Sequence, residues 1–443
     1  MNLDASPASA LETRIVAAVA AGEEELVRLT ADLIGFDTTA RNPGDPPREE
    51  ARLQEYLKAR LEALGADTDL WEPEPTGRGD RFVPDDLDFV GRPQLAARLA
   101  GSGGGRSLLL NGHIDAVSHE PISQWSSHPL KAEIRDGELY GRGACDMKGG
   151  IAGMLHAVET LNRLGVRLGG DVVWCTNTDE ESSGAGSYAC VRHGVKADAG
   201  LCAEPTGFDV WLACRGGVNP HITIEGRPGH SEVTHPHWQA GGPVNAIERY
   251  GLVLDAIRTI REDWRTRPDH LHPYLSPPDI LTTVIHGGEW MVTYPSSCEI
   301  TLSVQYLPGS VDADGTGQAV FDEVERRINA AAATDSWLAE HPLRWDWPCD
   351  IVPAEVPDDH PVISLALDAA TAVGRTGVAT GMDSWHDAAV YTRRAQTPTV
   401  SFGPGDLMKA HTIDESVPVR DLVDFSAAVA LALVRWCGVA GTE

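Results

Sequence analysis

Five short motifs in the sequence carry histidine and carboxylate side chains of the kind that bind zinc and similar cations. Two imidazoles and several carboxylates suit a borderline cation, and one bridging carboxylate would let the set hold two ions. Each motif has an ordinary structural explanation when taken singly, such as a helix N-cap. Their occurrence together favours a metal site built from His113 and Asp115 in NGHIDAV, Asp146 in GRGACDMKGG, Glu180 and Glu181 in NTDEESSG, Glu204 in LCAEPT, and His411 in KAHTIDE.

Three consecutive carboxylates, Asp179, Glu180 and Glu181, follow the apolar run VVWC. Their mutual repulsion is costly unless water or a cation neutralises it, and a solvated acidic loop is the ordinary explanation. In an extended backbone, neighbouring side chains point to opposite sides. We therefore expect one glutamate to bind a metal and the other to face the water that the metal activates.

Alternating helix and strand patterns must position these motifs. EEELVRLTADLIGF and GGIAGMLHAVETLNRLG have helical apolar spacing, whereas RSLLLNGHIDAV, DVVWCTNTDEE and AGLCAEPT are apolar runs that end in polar residues. Such alternation predicts an α/β fold with a mainly parallel sheet covered by helices. Because sites lie at the carboxyl ends of strands in parallel sheets, the polar residues that follow these strands are expected to meet there.

From about Cys214 the pattern changes to strands with period-two alternation and two helices. In CEITLSVQYLP, Ile300, Leu302, Val304 and Tyr306 fall on one face. NAIERYGLVLDAIRTI is read as a helix with Ile247 and Ile257 among its apolar positions. We predict a small α+β domain at 215–352, inserted between a first part of the catalytic domain at 1–214 and a second part at 353–443.

Composition sets limits on the partners of this chain of 443 residues. The net charge of −29 argues against nucleic acid or an anionic membrane as a partner. No apolar run is long enough to span a membrane, and the first 29 residues lack the features of a signal peptide. The eight cysteines are scattered, without a CxxC pair, which is typical of reduced core residues in a cytoplasmic protein.

With these motifs in this order, the chain resembles the co-catalytic zinc amidohydrolases, a family that includes acetylornithine deacetylase, succinyl-diaminopimelate desuccinylase, aminoacylase-1 and carboxypeptidase G. The resemblance runs from about Leu26 to Leu422. It implies a zinc-peptidase-like fold, an inserted lid or dimerisation domain, and two divalent ions, most often zinc, with cobalt or manganese possible. It also implies a cis peptide bond between Asp146 and Met147.

The resemblance assigns a role to each motif residue. One ion would be bound by His113 and Glu204 and the other by Glu181 and His411, with Asp146 as the bridge. Glu180 would be the general base, and Asp115 would orient His113. These roles are expectations carried over from the family onto the matching positions.

The segment GRPGHSEVTHPHW resembles the lid motif whose histidine reaches into the partner subunit's active site. His230 is the matching position, and it would stabilise the oxyanion of the tetrahedral intermediate. His235 and His237 lie close enough in sequence to be alternatives, although both are also explained as solvated loop residues. The resemblance thus implies a homodimer formed through the inserted domain.

Three positions bear on the substrate. Many relatives carry Asn and Arg where this chain has Val292 and Gln305, and both family residues help to hold substrate oxygens or a carboxylate. Arg375 matches a family arginine that binds the substrate's α-carboxylate, because its planar fork can make two charge-assisted hydrogen bonds. We therefore predict a substrate with at most one carboxylate, held by Arg375, and an apolar or aromatic remainder.

The function predicted from these residues is a dinuclear metal-dependent hydrolase of an amide bond in a small-molecule substrate, either an N-acyl amino acid or a small peptide-like compound. One alternative is cleavage of a urea-type, aryl amide or other non-peptide C–N bond, but such relatives tend to have His where Glu204 stands. Another alternative is a non-catalytic binding protein, which the complete ligand set and Glu180 disfavour. No GxSxG motif supports a serine hydrolase.

Overall fold

The computed structural model describes residues 7–40, 47–75, 79–85 and 87–440. Residues 1–6 lie outside these ranges. They belong to the first 29 residues, for which the sequence predicts no signal peptide. The chain forms two compact units, one made of Met1–Ala213, Glu355–Gly381 and His386–Glu443, the other of Cys214–Ala354 and Met382–Trp385. The grouping of Met382–Trp385 with the second unit differs from the domain assignment made above, which placed this segment in the catalytic domain.

The first part of the larger unit alternates helices and strands along the chain. The elements are α1 (Pro7–Ala21), α2 (Glu23–Ile34), α3 (Glu50–Ala63), β1 (Asp67–Trp71), β2 (Gln94–Leu99), β3 (Leu108–His113), β4 (Glu133–Arg135), β5 (Glu138–Tyr140), α4 (Lys148–Arg163), β6 (Val172–Asn177), α5 (Ala185–Arg192), β7 (Ala199–Cys202) and β8 (Val210–Cys214). The apolar helix and strand patterns noted in the sequence coincide with α2, β3, α4, β6 and β7.

The inserted unit and the return to the larger unit complete the chain. The inserted elements are β9 (Gly216–Val218), β10 (His221–Glu225), α6 (Ala246–Thr266), β11 (Asp279–Gly287), β12 (Ser297–Tyr306), α7 (Gln318–Ala332), α8 (Ser336–Glu340) and β13 (Arg344–Asp346). They are followed by β14 (Ala354–Glu355), α9 (Pro361–Ala372), β15 (Ala379–Met382), α10 (Ala388–Arg394), β16 (Thr399–Ser401), β17 (Ser416–Pro418) and α11 (Val419–Cys437).

The main sheet of the larger unit has the strand order β1-β2-β6-β3-β7-β16-β8-β14, with β15 also paired to β8. The four central strands β6, β3, β7 and β16 are parallel, whereas β1, β2 and β8 pair in antiparallel fashion. Helices α3, α4, α5, α9 and α10 pack against its strands. The predicted α/β fold with a mainly parallel, helix-covered sheet is confirmed.

Burial follows this architecture. Every residue of β3 is buried, as expected for a strand covered on both faces. Helix α4 approaches the sheet so closely that a Cβ on Gly150 would lie 2.3 Å from the carbonyl oxygen of Ala203. This close approach sets the start of α4, and the loop before it, beside the end of β7.

A second sheet of the larger unit has three strands in the order β17-β5-β4. Ser416 on β17 pairs with Tyr140 on β5 in antiparallel register. The pairing brings the segment after His411 alongside the segment that leads to Asp146, although the two are far apart in sequence.

The inserted unit has its own core. Its sheet has the order β11-β12-β10-β13, with β9 also paired to β12, and α6 packs against it. The predicted face of β12 is confirmed, because Ile300, Leu302, Val304 and Tyr306 are all buried. Helix α6 buries Ile257 as expected, but Ile247 is 40% exposed, so the apolar face read from the sequence was wrong at that position.

Two remaining predictions concern membrane-spanning helices and the burial of the cysteines. Within the described residues, no helix combines the length and the apolarity needed to cross a bilayer. Seven of the eight cysteines are buried, and Cys349 is partly exposed. The cytoplasmic location stays a prediction.

Candidate active site

His113 is the last residue of β3 and is only 1% exposed. Its Nδ1 lies 3.0 Å from the main-chain oxygen of Asp115. A carbonyl oxygen can only accept, so Nδ1 carries the proton and the neutral ring leaves Nε2 bare. Because Nε2 lies 3.1 Å from Oδ1 of Asp146, two lone pairs face one another unless a proton or a metal ion lies between them.

Asp146 lies in the loop before α4 and does not directly follow a strand. Its Oδ2 is 3.4 Å from Nε2 of His411, so its two oxygens face two different histidines. The peptide bond between Asp146 and Met147 is cis, as the family resemblance implied.

Two groups of side chains have the geometry of metal ligands, and Asp146 belongs to both. His113, Asp146 and Glu204 form one group, and Asp146, Glu181 and His411 form the other, with ligand atoms within 4.8 Å of one another in each. Glu204 follows β7 and is 5% exposed, whereas the His411 side chain is 53% exposed. The structure therefore brings all five expected ligands together in two groups that share Asp146.

The two glutamates lie in a turn and not in an extended strand, so that part of the sequence interpretation was wrong. Strand β6 ends at Asn177, and Asp179 has a positive φ of 68°. The main-chain oxygen of Asp179 accepts from the nitrogens of Ser183 (3.2 Å) and Gly184 (2.7 Å), and its side chain accepts from the Ser183 hydroxyl. These bonds favour a tight turn over an extended chain.

The turn gives the two glutamates different neighbours. Glu181 Oε2 is 3.1 Å from Nε2 of His411. Glu180 Oε2 is 3.9 Å from Nε2 of His113, and its side chain is 11% exposed. Glu181 thus lies within one ligand group, while Glu180 lies beside the other.

Asp115 links β3 to this turn. Its carboxylate accepts from the backbone nitrogens of Glu180 (3.3 Å) and Glu181 (3.1 Å). Its Oδ1 is 3.7 Å from Nδ1 of His113, beyond hydrogen-bond distance, so the orientation of His113 comes from the main-chain oxygen of Asp115. The carboxylate therefore positions the two glutamates directly, a role that the sequence did not suggest.

Burial and the crowding of carboxylates shift the pKa values of the side chains in the site. Burial raises the pKa of Glu180 well above its ordinary value, that of Glu204 to about 8 and that of Asp115 to about 7. Burial would lower the pKa of His113, but the hydrogen bond to Asp146 and the nearby carboxylates raise it well above its ordinary value. Such concentrated negative charge is stabilised by a cation.

The donor set fits divalent ions. Tetrahedral zinc with bonds of about 2.0–2.1 Å places its ligand atoms roughly 3.3 Å apart. The distances from Asp146 to His113 (3.1 Å) and to His411 (3.4 Å), and from Glu181 to His411 (3.1 Å), match this spacing. Oε1 of Glu181 is buried and has no hydrogen-bond partner among the described residues, so it retains a coordination position.

Arg375 is not part of this cluster. Its Nε is 2.8 Å from Asp424 and a terminal nitrogen is 2.7 Å from Asp421, both on α11, and the guanidinium lies 4.7 Å from the ring centre of Phe208. Two carboxylates of the chain already neutralise its charge. We therefore correct the expectation that Arg375 clamps a substrate carboxylate and assign it a structural role.

The remaining predicted residues lie in the inserted unit. His230 is exposed and forms a bridge with Thr293. The main-chain oxygen of Val292 accepts from Ser231 (2.9 Å), and Gln305 is half-buried on β12, where it pairs with Asp279.

His235 and His237, the two alternatives to His230, have local structural contacts. His235 lies edge-on to Tyr294 with ring centres 5.7 Å apart and contacts the main-chain oxygen of His230. His237 caps the short helix that begins at Trp238. These contacts account for both residues without a function in catalysis.

A buried polar network beneath the site was missed at the sequence level. Asn111 donates to Asn177 (2.9 Å), and Asn177 donates to Asp387 (2.5 Å), which is fully buried. The available signal was an asparagine at or near the end of each of two apolar strands, since a buried amide needs partners. A second missed residue is Glu415, which lies against the loop that carries Asp146.

Comparison with known proteins agrees with this geometry. The sequence model of peptidase family M20/M25/M40 matches residues 109–435. N-formyl-4-amino-5-aminomethyl-2-methylpyrimidine deformylase of Halalkalibacterium halodurans is 26% identical over 96% of this chain and 97% of its own length. Succinyl-diaminopimelate desuccinylase of Gluconacetobacter diazotrophicus is 31% identical over 86% of this chain and 91% of its own length.

Solved structures share the fold. A tripeptidase of Staphylococcus aureus aligns with a TM-score of 0.70 at 18% identity, covering 94% of this chain and 98% of the other. The YXEP protein of Bacillus subtilis, described as a dinuclear metal binding peptidase, aligns with a TM-score of 0.63 at 15% identity, covering 94% of this chain and 99% of the other. The family match confirms the resemblance read from the motifs: this chain belongs to peptidase family M20/M25/M40 and is a hydrolase that acts on amide bonds.

Proposed function

We propose that the protein is a dinuclear metal-dependent deacylase that removes a short acyl group from an amine. The observation that carries this proposal is the pair of ligand groups that share Asp146. A carboxylate with one oxygen toward each of two histidines is suited to bridge two cations. The B. subtilis protein of the same fold, described as binding two metals, supports the same stoichiometry.

In this proposal His113 and Glu204 would hold one ion, Glu181 and His411 would hold the other, and Asp146 would contribute to both sites. Zinc suits the mixed nitrogen and oxygen donors, and cobalt or manganese would also be accepted. When bound, the ions would supply Lewis acidity, which polarises a carbonyl group and makes water acidic near neutral pH.

Glu180 is proposed as the general base. Its carboxylate lies beside the ligands without belonging to either ligand group, with Oε2 3.9 Å from His113 Nε2. It would take a proton from the attacking water and return it to the leaving nitrogen. Burial raises the pKa of Glu180, which favours a carboxylate able to hold that proton between the two transfers.

The substrate is proposed to be a short-chain amide of an apolar or heteroaromatic amine with at most one carboxylate. Arg375 is already paired with Asp421 and Asp424, so it offers no charge for a substrate carboxylate. Gln305 is neutral, and Val292 is apolar. The relative named as a deformylase of a formylated aminomethylpyrimidine acts, by its name, on a compound without a carboxylate.

A substrate comparison tests this proposal. We expect kcat/KM for N-formyl-4-amino-5-aminomethyl-2-methylpyrimidine, or for an N-formyl or N-acetyl aromatic amino acid, to exceed that for succinyl-diaminopimelate. The reason is that an unpaired, desolvated carboxylate costs on the order of kcal/mol. A preference for the dicarboxylic compound would overturn the proposed substrate class. Selective hydrolysis of an N-carbamoyl amino acid would favour the urea-type alternative instead, and no hydrolysis despite bound metal would favour a binding protein.

We also propose a homodimer formed through the inserted unit. Strand β11 lies at the edge of its sheet and exposes Val284 (41%) and Ile285 (46%). Ile247 on α6 (40% exposed) lies beside Gly287, so it adds to the same apolar surface. An exposed apolar edge strand is a template for pairing with another strand, and a second copy supplies one.

His230 is proposed to act in the active site of the partner subunit. Its Nδ1 accepts from the backbone nitrogen of Glu232 at 3.2 Å, so the neutral ring carries its proton on Nε2. A histidine with a fixed Nε2–H is suited to donate to the oxyanion of a tetrahedral intermediate.

Mixing two inactive variants tests this arrangement. Heterodimers of His230→Ala and Glu180→Ala are expected to regain part of the activity, because one of the two sites then combines an intact Glu180 with an intact His230. The measurement is the specific activity of a mixture in which subunit exchange has been demonstrated by mass. Each variant incubated by itself is the control. If exchange is complete and no activity returns, His230 works within its own chain or has no catalytic role.

A further inference from the structure

Glu415 is a buried carboxylate that contacts the loop before α4. It is 1% exposed. Its Oε1 accepts from the backbone nitrogen of Cys145 at 2.8 Å and from that of Asp146 at 3.1 Å. One oxygen of Glu415 thus holds the main chain at the residue that belongs to both ligand groups.

The second oxygen of Glu415 is held by Arg142. The Arg142 guanidinium donates to Oε2 at 2.5 Å and to the main-chain oxygen of Ser118 at 3.1 Å. The Arg142 side chain is 3% exposed and lies against Trp125, 5.0 Å from its ring centre. The carboxylate therefore has a fixed position with all its contacts in the interior.

Glu415 also belongs to the segment that carries His411. Its main-chain oxygen accepts from the nitrogen of Gly141 at 3.0 Å, and the following residue begins the β17–β5 pairing. His411 and Asp414 both have positive φ, 61° and 58°, which non-glycine residues rarely adopt without a structural cause. The contacts of Glu415 anchor the end of this strained segment.

We propose that Glu415 is a positioning residue for the metal centre, which ties the Asp146 loop to the His411 segment and so sets both ligand groups at once. The inference rests on the proposed dinuclear site. Partners behind the ligands orient them, and their loss typically lowers metal affinity by about 10–100-fold. Because Asp146 belongs to both groups, displacement of its backbone should weaken both ions together.

A metal titration of Glu415→Gln tests the proposal. The amide retains one acceptor oxygen, so its NH₂ must face either the Arg142 guanidinium or the two backbone N–H groups, and one of these contacts is lost. We expect the dissociation constants of both cobalt ions to rise by about 10–100-fold and the visible spectrum of the cobalt-loaded protein to change. The probe is Co²⁺ added to metal-free full-length protein, with Zn²⁺ competition as a second reading.

Glu159→Gln is the matched control. Glu159 is also buried, and it receives two hydrogen bonds from Arg60 at 2.9 Å and 2.8 Å, but it lies on α4 and is in neither ligand group. Its variant is expected to lose thermal stability while keeping the wild-type affinity and spectrum. Equal metal affinities for wild type, Glu415→Gln and Glu159→Gln would show that Glu415 serves only folding and would overturn the proposal.

Glu415→Asp covers the case in which the glutamine variant does not fold. It retains the charge opposite Arg142 but withdraws the carboxylate by one methylene, so a single oxygen no longer reaches both backbone nitrogens. We expect weaker binding of both ions again, and unchanged binding would contradict the inference. Wild-type protein that binds no metal would instead contradict the proposed function, which keeps the two failures distinct.

Discussion

Glu180→Ala protein is expected to lose about a hundred- to ten-thousandfold in kcat, the range typical of general acid–base catalysis, while it retains both metal ions. The expectation follows from geometry. Glu180 lies 3.9 Å from Nε2 of His113 but belongs to neither group of ligand atoms. Removing it leaves the ligands in place and deletes the carboxylate that would move the proton. The measurements are kcat on the best substrate of the panel and metal content of the purified variant.

Glu181→Ala is the matched control, because it removes the neighbouring carboxylate from the same turn. Glu181 lies 3.1 Å from His411, and its other oxygen is buried without a partner among the described residues. This variant is expected to lose metal affinity first and activity as a consequence, so that excess metal restores part of its rate. If the two variants show the opposite phenotypes, the roles of the two glutamates are reversed.

Removal of metal is expected to abolish hydrolysis completely and reversibly. The purified protein should carry up to two divalent ions per chain, and a chelator should remove them. The reason is that His113 Nε2 and Asp146 Oδ1 face one another at 3.1 Å, a contact that a metal ion bound between them would stabilise. Activity is measured before chelation, after it, and after Zn²⁺, Co²⁺ or Mn²⁺ is restored.

Asp146→Ala sharpens this test, because Asp146 is the ligand common to both groups. Its variant should lose both ions, whereas Glu204→Ala should weaken chiefly the ion shared with His113. Full activity in protein shown to be free of metal would disprove the dinuclear mechanism. Loss of only one ion from Asp146→Ala would show that this carboxylate does not bridge.

The way in which the chain builds the site explains why these variants should differ. Asp115 accepts from the backbone nitrogens of both Glu180 and Glu181, so the turn is held by its main chain and not by the glutamate side chains. Truncating either glutamate therefore leaves the backbone of the turn supported. A difference between the two variants in activity or metal content then reflects the lost side chain and not a change in the fold of the turn.

Much of the fold and most of the ligand set followed from the sequence. His113 ends β3, and Glu204 follows β7, two adjacent parallel strands of the sheet. Parallel strands have their carboxyl ends at one edge, so apolar runs that end in ligand-type residues already imply that these side chains meet. The face of β12 was equally readable, because side chains alternate with a period of two.

The sequence was less informative where long-range contacts set the local conformation. Asp179 turns the chain after β6, so Glu180 and Glu181 do not alternate as they would in a strand. Arg375 forms ion pairs with Asp421 and Asp424, which lie more than forty residues later in the chain. Neither the turn nor this pairing leaves a periodic pattern from which it could be predicted.

By itself, then, the sequence determined the parallel sheet, the inserted unit's strands and the identity of the residues able to bind metal, because these depend on local periodicity and on residue type. Only the tertiary structure decided which oxygen of Asp146 faces which histidine and that Glu415 lies behind Asp146. The Asp146–Glu415 contact joins residues separated by 269 positions. Such contacts depend on how distant segments pack, and packing has no signature in a single stretch of sequence.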